Sequence, residues 1–260
     1  MANAAGPVLL DLHCDPDHNR AVLTLGSLRG GDVEAAARRL AQAAVLAIDL
    51  RRHHGAHPRV GAVDVVPFVP IDATGAAARP GDDLGRAIAA RQRFATWAAT
   101  TLGLPCFVYG PERTLPEVRR HAFDGLQPDT GPPVPHPSAG ACAVGARPAL
   151  VAYNVWLKGS DIAAARKIAD AIRGPAVRTL GLGIGGHAQV SCNLVDPFTV
   201  GPDAVLAAVT TAARGLGVEV ARPELVGLAP LAVVAALDPE ARARCGVDLD
   251  HTFEARLRRT

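Results

Sequence analysis

The stretch ALVAYNVWLKGSDIAAARKIADAIRGPAVRTLGLGIGGHAQVSCNLV, residues 149–195, decides the fold. Its opening, 149–157, is apolar and β-branched, which predicts a strand. Residues 160–173 put Ile162, Ala165, Ile168 and Ile172 on one helical face, with Ser160 as the expected N-cap. Residues 176–184 and 187–195 read as two strands joined by Gly185-Gly186, a tight hairpin signal. The run Gly181-x-Gly183-x-Gly185-Gly186 superficially suggests a nucleotide loop. It joins two strands instead of opening a helix, so the hairpin reading is preferred. Farther on, 202–215 is an alanine-rich helix and 217–222 a short strand. The order is β-α-β-β-α-β, the ferredoxin-like split βαβ unit. A last apolar stretch, 224–237, is expected to be helical.

Toward the N-terminus the pattern is partial. Residues 7–13 and 21–27 read as strands, 31–52 as a helix, 61–70 as a strand, 82–102 as a helix and 104–109 as a strand. This half gives β-β-α-β with further elements after it, and lacks the β-α that would open a second split βαβ unit. Between the halves, PDTGPPVPHPSAG (128–140) holds five prolines and excludes helix or central strand. It is either a linker or a rigid loop at a cleft. The expected class is α+β, with subdomains 1–148 and 149–260.

Composition narrows the function. Hydrophobic residues are 49% and charged residues 20% of the 260, enough for a packed core. A net charge of +2 with scattered arginines gives no electrostatic case for nucleic acid. The five cysteines are far apart with no C-x-x-C, which predicts free thiols in a reducing compartment. The start MANAAGPVLLDL lacks the basic and apolar regions of a signal peptide, and no apolar run approaches the ~18 residues of a membrane span. A soluble cytoplasmic chain, with no membrane partner, is the expectation.

Two histidine clusters carry the candidate chemistry. In RRHHGAHPRVGAVDVVPFVPI (51–71), His53 and His57 have the spacing of a helical metal pair. Gly55 weakens that helix, and Pro58 pushes His57 out of the α region. His53 and His54 are therefore expected at a helix C-terminus, where His complements the dipole. His57 is expected in the loop feeding the next strand. In DLHCDPDHNR (11–20), the set His13, Asp15, Asp17 and His18 resembles the H-x-H-x-D-H zinc signature of metallo-β-lactamase-like hydrolases, with one His replaced. The later histidines, His121, His136, His187 and His251, offer no matching ligand context, so no metal is expected.

Six segments in series resemble one family, the glutamate formiminotransferases (formimidoyltransferases). GAHPRVGAVDVVPFVPI is similar to its HPR-x-GA-x-DV-x-PF-x-P segment, DPDHNRAVLTL to its motif before the first long helix, and LPCFVYG to P-V-Y-L-Y-G. PDTGPPVPHPSAGACAVGAR resembles its P-D-F-G-P … GAR loop, HAQVSCNLVD its A-Q-V-S-x-N-L, and ELVGLAPL its LVGL-x-P.

The resemblance implies two ferredoxin-like subdomains with a ligand tunnel between them, and tetrahydrofolate as co-substrate. It implies transfer of a formimidoyl group from N-formimino-L-glutamate to tetrahydrofolate, in histidine degradation, by a homodimer. His57 falls on the family's catalytic histidine. A group with pKa ~6.5 can take a proton from the attacking nitrogen and give it to the leaving one. The folate loop falls on Gly131, Pro132, Pro133, Val134, Pro135, His136, Pro137, Ser138, Ala139 and Gly140. Arg20, Arg59 and Arg147 stand in matched segments as candidate partners of the substrates' carboxylates. Thr130 replaces the Phe of P-D-F-G. The family's opening segment E-C-V-P-N-F-S-E-G has no counterpart, so the first subdomain is expected to be N-terminally truncated, without a central strand. Two alternatives stand beside transfer: a folate-binding paralog with lost or altered activity, and a zinc-dependent hydrolase.

Overall fold

A computed structural model describes residues 2–55 and 58–259. The first part of the chain runs α1 (Ala2–Ala5), β1 (Leu9–Asp15), β2 (Arg20–Leu25), α2 (Gly30–Ala47), β3 (Val65–Phe68), α3 (Gly85–Leu102), β4 (Cys106–Tyr109), α4 (Leu115–His121) and β5 (Cys142–Ala146). The rest runs β6 (Val151–Leu157), α5 (Ile162–Ile172), β7 (Val177–Ile184), β8 (His187–Leu194), α6 (Pro202–Gly215), β9 (Val220–Val226), α7 (Leu231–Ala235), α8 (Pro239–Cys245) and α9 (Phe253–Leu257). The chain is a mixed helix and sheet protein, and it divides into two units. One comprises the segment ending at Leu9, Leu25–Ala73 and Gly81–Pro148; the other comprises Leu10–Thr24, Thr74–Pro80 and everything from Ala149.

The first unit is built on a three-stranded parallel sheet in the order β3-β5-β4. Helix α3 covers one face, with α2 packed on α3, and there Phe94, Leu104, Cys106, Val108, Cys142 and Val144 pack together. The shorter α4 covers the other, over Phe107, Tyr109, Ala141 and Ala143. Every residue of β4 and β5 is buried, as a parallel sheet covered on both faces requires. This differs from the expected arrangement. Strands β1 and β2 form a two-stranded sheet of their own, and the central strand is β5, from a segment to which the sequence reading assigned no element.

The second unit realises β-α-β-β-α-β over Val151–Val226, in the order β7-β8-β6-β9, with every neighbour antiparallel. One face packs Val151, Tyr153, Val155, Val190, Cys192 and Leu194 against α5 and α6. Gly185 and Gly186 both have positive φ, 56° and 79°, which a two-residue type I′ turn demands. Gly181 serves a close approach instead: a Cβ there would lie 2.3 Å from the backbone nitrogen of Arg166 in α5. Most of the β1–β2 hairpin belongs to this unit.

Several boundaries differ from the sequence reading. The long helix ends at Ala47, because Ile48 is extended. A 3-10 turn at Leu50–Arg52 follows, capped by the Asp49 side chain, and His53 closes that turn. So neither His53 nor His54 stands at the C-terminus of α2. Asp161, not Ser160, caps α5, its carboxylate accepting the Ala164 N–H at 2.8 Å. Strand β9 extends to Val226; Pro223 is tolerated because β9 is an edge strand. The helix read over 224–237 reduces to α7, which starts after Pro230. No helix among the described residues is long and apolar enough to cross a membrane.

Candidate active site

His57 lies outside the described residues. The chain that follows it is fixed closely. The Arg119 guanidinium, on α4, donates to the Pro58 carbonyl and, at 2.6 Å, to Asp64 Oδ2. Asp64 Oδ1 accepts the Val60 N–H at 2.7 Å. Ala141 N–H donates to Val60 O and Ala62 N–H to Ala139 O, both at 2.9 Å. Gly61 sits where the two segments cross: a Cβ there would lie 1.7 Å from the Ala141 carbonyl oxygen. Arg59 turns back on its own loop. Its guanidinium donates to Gly55 O at 2.7 Å and meets Nδ1 of His53, which must accept, because guanidinium carries only donors.

The Pro-rich segment folds onto the first unit. Asp129 accepts the Val108 N–H at 2.8 Å and pairs with Arg113 at 2.7 Å. Thr130, in place of the resembled Phe, bridges to Cys106 and donates its hydroxyl to Ala95 O at 3.1 Å. His136 and Gly140 exchange two backbone bonds, of 2.8 and 2.9 Å. His136 Nδ1 accepts from Ala139 N–H at 3.1 Å, which leaves the ring proton on Nε2. Within Gly131–Gly140 only Ala139 is buried, while Val134, between Pro132-Pro133 and Pro135, is 61% exposed and Pro137 and Ser138 form part of the turn.

Arg147 follows β5, at the carboxyl end of the parallel sheet, the end where such sheets bind ligands. Its N–H donates to Phe68 O at 3.1 Å and its Nη1 to Pro148 O at 2.8 Å. The ring of Tyr109, at the same end, covers Gly145, where a Cβ would lie 2.1 Å from Cζ. The Tyr109 phenol and the Arg147 guanidinium interact; burial pushes the phenol pKa up and holds the guanidinium pKa down.

In the second unit the sheet face opposite the helices is polar. Gln189, Trp156 and Arg222 lie in one register row; Ser191, Asn154 and Glu224 lie in the next. Glu224 Oε2 accepts from Trp156 Nε1 at 2.9 Å and Asn154 Nδ2 at 3.4 Å. Arg222 stands 3.4 Å from the other oxygen and 5.0 Å over the Trp156 ring. The hairpin covers part of this face. His18 is buried beside Gln189, while Asp15 accepts the His18 N–H at 2.8 Å. Burial lowers the His18 pKa below 6.5 against the pull of Asp15, and Arg20 lowers it further.

The structure thus joins Asp15 and His18 but does not assemble His13, Asp15, Asp17 and His18 as a ligand set. No group of three or more His, Cys, Asp or Glu among the described residues could hold a metal ion. Sequence reasoning missed Asp64, Arg119, Tyr109, Asn154, Gln189 and Glu224. For Gln189 a signal existed: it alternates with Ala188 and Val190 at the period of a strand.

Residues 1–147 match the formiminotransferase domain, N-terminal subdomain. The chain is 37% identical over 250 residues to a glutamate formimidoyltransferase of Streptococcus pyogenes serotype M1, covering 86% of this chain and 80% of that one. It is 37% identical over 184 residues to a glutamate formimidoyltransferase of Thermoplasma acidophilum, covering 64% of this chain and 57% of the relative. Against a formimidoyltransferase-cyclodeaminase of Sus scrofa it is 34% identical over 258 residues, 89% of this chain and 46% of the relative. The chain thus spans about half the length of that relative.

Proposed function

The chain belongs to the glutamate formimidoyltransferase family, and from that premise we propose that it is a transferase moving a formimidoyl group from N-formimino-L-glutamate to tetrahydrofolate. The observation that carries the reading is the bracing of Pro58–Asp64, the segment that follows His57, by Arg119 and by residues 139–141. A proton carrier gains from such bracing, because a misplacement of about 1 Å can cost ~10²-fold in rate.

Tetrahydrofolate supplies the nucleophilic N5 that takes the formimidoyl carbon from the glutamate nitrogen. His57 takes a proton from the incoming nitrogen and gives one to the leaving nitrogen, a role worth ~10²–10⁴-fold. The residues present fit a folate. Tyr109 with Arg147 offers a ring and a cation at one sheet end. Asn154, Trp156 and Glu224 offer an amide, a ring and a carboxylate on one sheet face. Arg147 and Arg20 are assigned to substrate carboxylates. Arg59, engaged with Gly55 and His53, holds its own loop in the present geometry and is assigned to substrate only if it swings out. Gly131–Gly140 is assigned to folate contact.

The subdomain boundary is placed at 148/149, and the β7-β8-β6-β9 order supports a ferredoxin-like class for the second. A cytoplasmic homodimer acting in histidine degradation completes the proposal. The test is turnover by the purified chain of formiminoglutamate with tetrahydrofolate, beside His57→Ala. The reading expects transfer by the wild type and a loss of at least ~10²-fold in the variant. Folate binding without transfer by the wild type would favour a non-transferring paralog.

A further inference from the structure

We propose that Arg119 is a positioning residue for this reaction, clamping the seven-residue span Pro58–Asp64 at both ends so that the chain next to His57 is held in one conformation. The inference rests on the transferase reading above. Its geometry is independent of that reading. One guanidinium donates to the Pro58 carbonyl and to Asp64 Oδ2, and the same carboxylate takes the Val60 N–H on its other oxygen. Pro58 has its φ fixed by its ring, and the bond to its carbonyl orients the following peptide plane. With both set, the backbone of the residue next to His57 in sequence is held at a fixed orientation. Arg119 and Asp64 are 20% and 24% exposed in their side chains, so the pair is partly withdrawn from water and from screening.

A planar fork is what this task needs. The two acceptors belong to different parts of the loop, and a guanidinium presents donors to both at once, whereas an ammonium is a point charge. Arg120, the next residue on α4, is also cationic, yet it is the Arg119 guanidinium that bonds the loop, so charge on the helix is not the distinguishing feature.

The experiment compares wild type, Arg119→Ala, Arg119→Lys and Asp64→Asn by transfer kinetics and by amide exchange at Val60. Arg119→Ala should lower kcat by about 30-fold or more with KM for either substrate changed less than about threefold, since the clamp touches neither. Arg119→Lys should recover only part of that loss, and Val60 exchange should quicken about tenfold in both Arg119→Ala and Asp64→Asn. If Arg119→Ala does not fold, Arg119→Lys decides: a reduced kcat supports the clamp. A folded Arg119 variant with wild-type kcat overturns it, as does an equal loss through KM. A wild-type chain without transfer removes the kinetic role with the transferase reading. Unchanged Val60 exchange refutes the clamp itself, so the two failures are separable.

Discussion

Gly61→Ala should be among the most damaging single-methyl substitutions in the first unit. The added Cβ would lie 1.7 Å from the Ala141 carbonyl oxygen and 2.7 Å from that of Ala139. Both neighbours are backbone, so no side chain can swing aside. The segments 60–62 and 139–141 must separate, breaking Ala141 N–H to Val60 O and Ala62 N–H to Ala139 O. Each bond contributes about 1 kcal/mol net, and each buried group left unpaired costs ~1–3 kcal/mol. Ala139 and Ala141 are fully buried, so water cannot replace the lost partners without opening the core. The expected loss is roughly 2–5 kcal/mol, a large share of a typical ~5–15 kcal/mol. Urea denaturation followed by circular dichroism measures it. Gly174→Ala is the control, because nothing lies within 4 Å of its Cβ position, and it should change stability by less than ~0.5 kcal/mol. A Gly61→Ala midpoint equal to that of the control would refute the reasoning.

Tyr153→Phe removes a buried hydroxyl that donates to Cys245 O at 2.8 Å; a loss of about 1–2 kcal/mol is expected in the same denaturation assay. Asp161→Ala uncaps α5 and should cost ~1 kcal/mol, with Asp161→Asn largely neutral. Acid should destabilise the protein in two stages. The folded His18 pKa lies below 6.5, so the unfolded chain protonates first and stability falls as pH drops below 6.5. Glu112, held at about 2 by Arg91 against an ordinary 4.5, contributes stability above 4.5 that is lost as pH falls toward 2. Melting temperature against pH reads both stages, and His18→Asn should flatten the upper one.

The second half was legible because its strands face a core on one side and polar groups on the other. Ala188, Val190 and Cys192 alternate with Gln189, Ser191 and Asn193, and that period carries both the strand and its polar face. The middle of the first unit was not legible. Strand β5 is buried on both faces and composed of small residues, so it has no alternation, and its partners lie far away in sequence. It also follows directly on the Pro-rich run 128–140, and no element was assigned between that run and residue 149. Arg119 could not have been singled out. LPEVRRH reads as an ordinary short helix with a cationic last turn, and only the return of the chain at Pro58–Asp64 gives one of its arginines a task. For His57, Pro58 pointed to a loop position, and the proposed catalytic role came from the resemblance.

The placement of the β1–β2 hairpin has a temporal consequence. Its tip Asp17 meets Gly185, and Val22 and Thr24 meet Gly227. On the ribosome the hairpin is made well before the surface it covers. At ~5–20 residues per second, roughly 200 intervening residues mean a wait of about 10–40 s. An isolated two-stranded hairpin is marginal in water, and this one carries Leu12, which is 44% exposed even in the finished fold. The nascent chain therefore holds an unsatisfied ribbon until that surface emerges, a window in which a holdase or a neighbouring nascent chain can compete for it. Cutting the gene at codon 148 would make that window permanent.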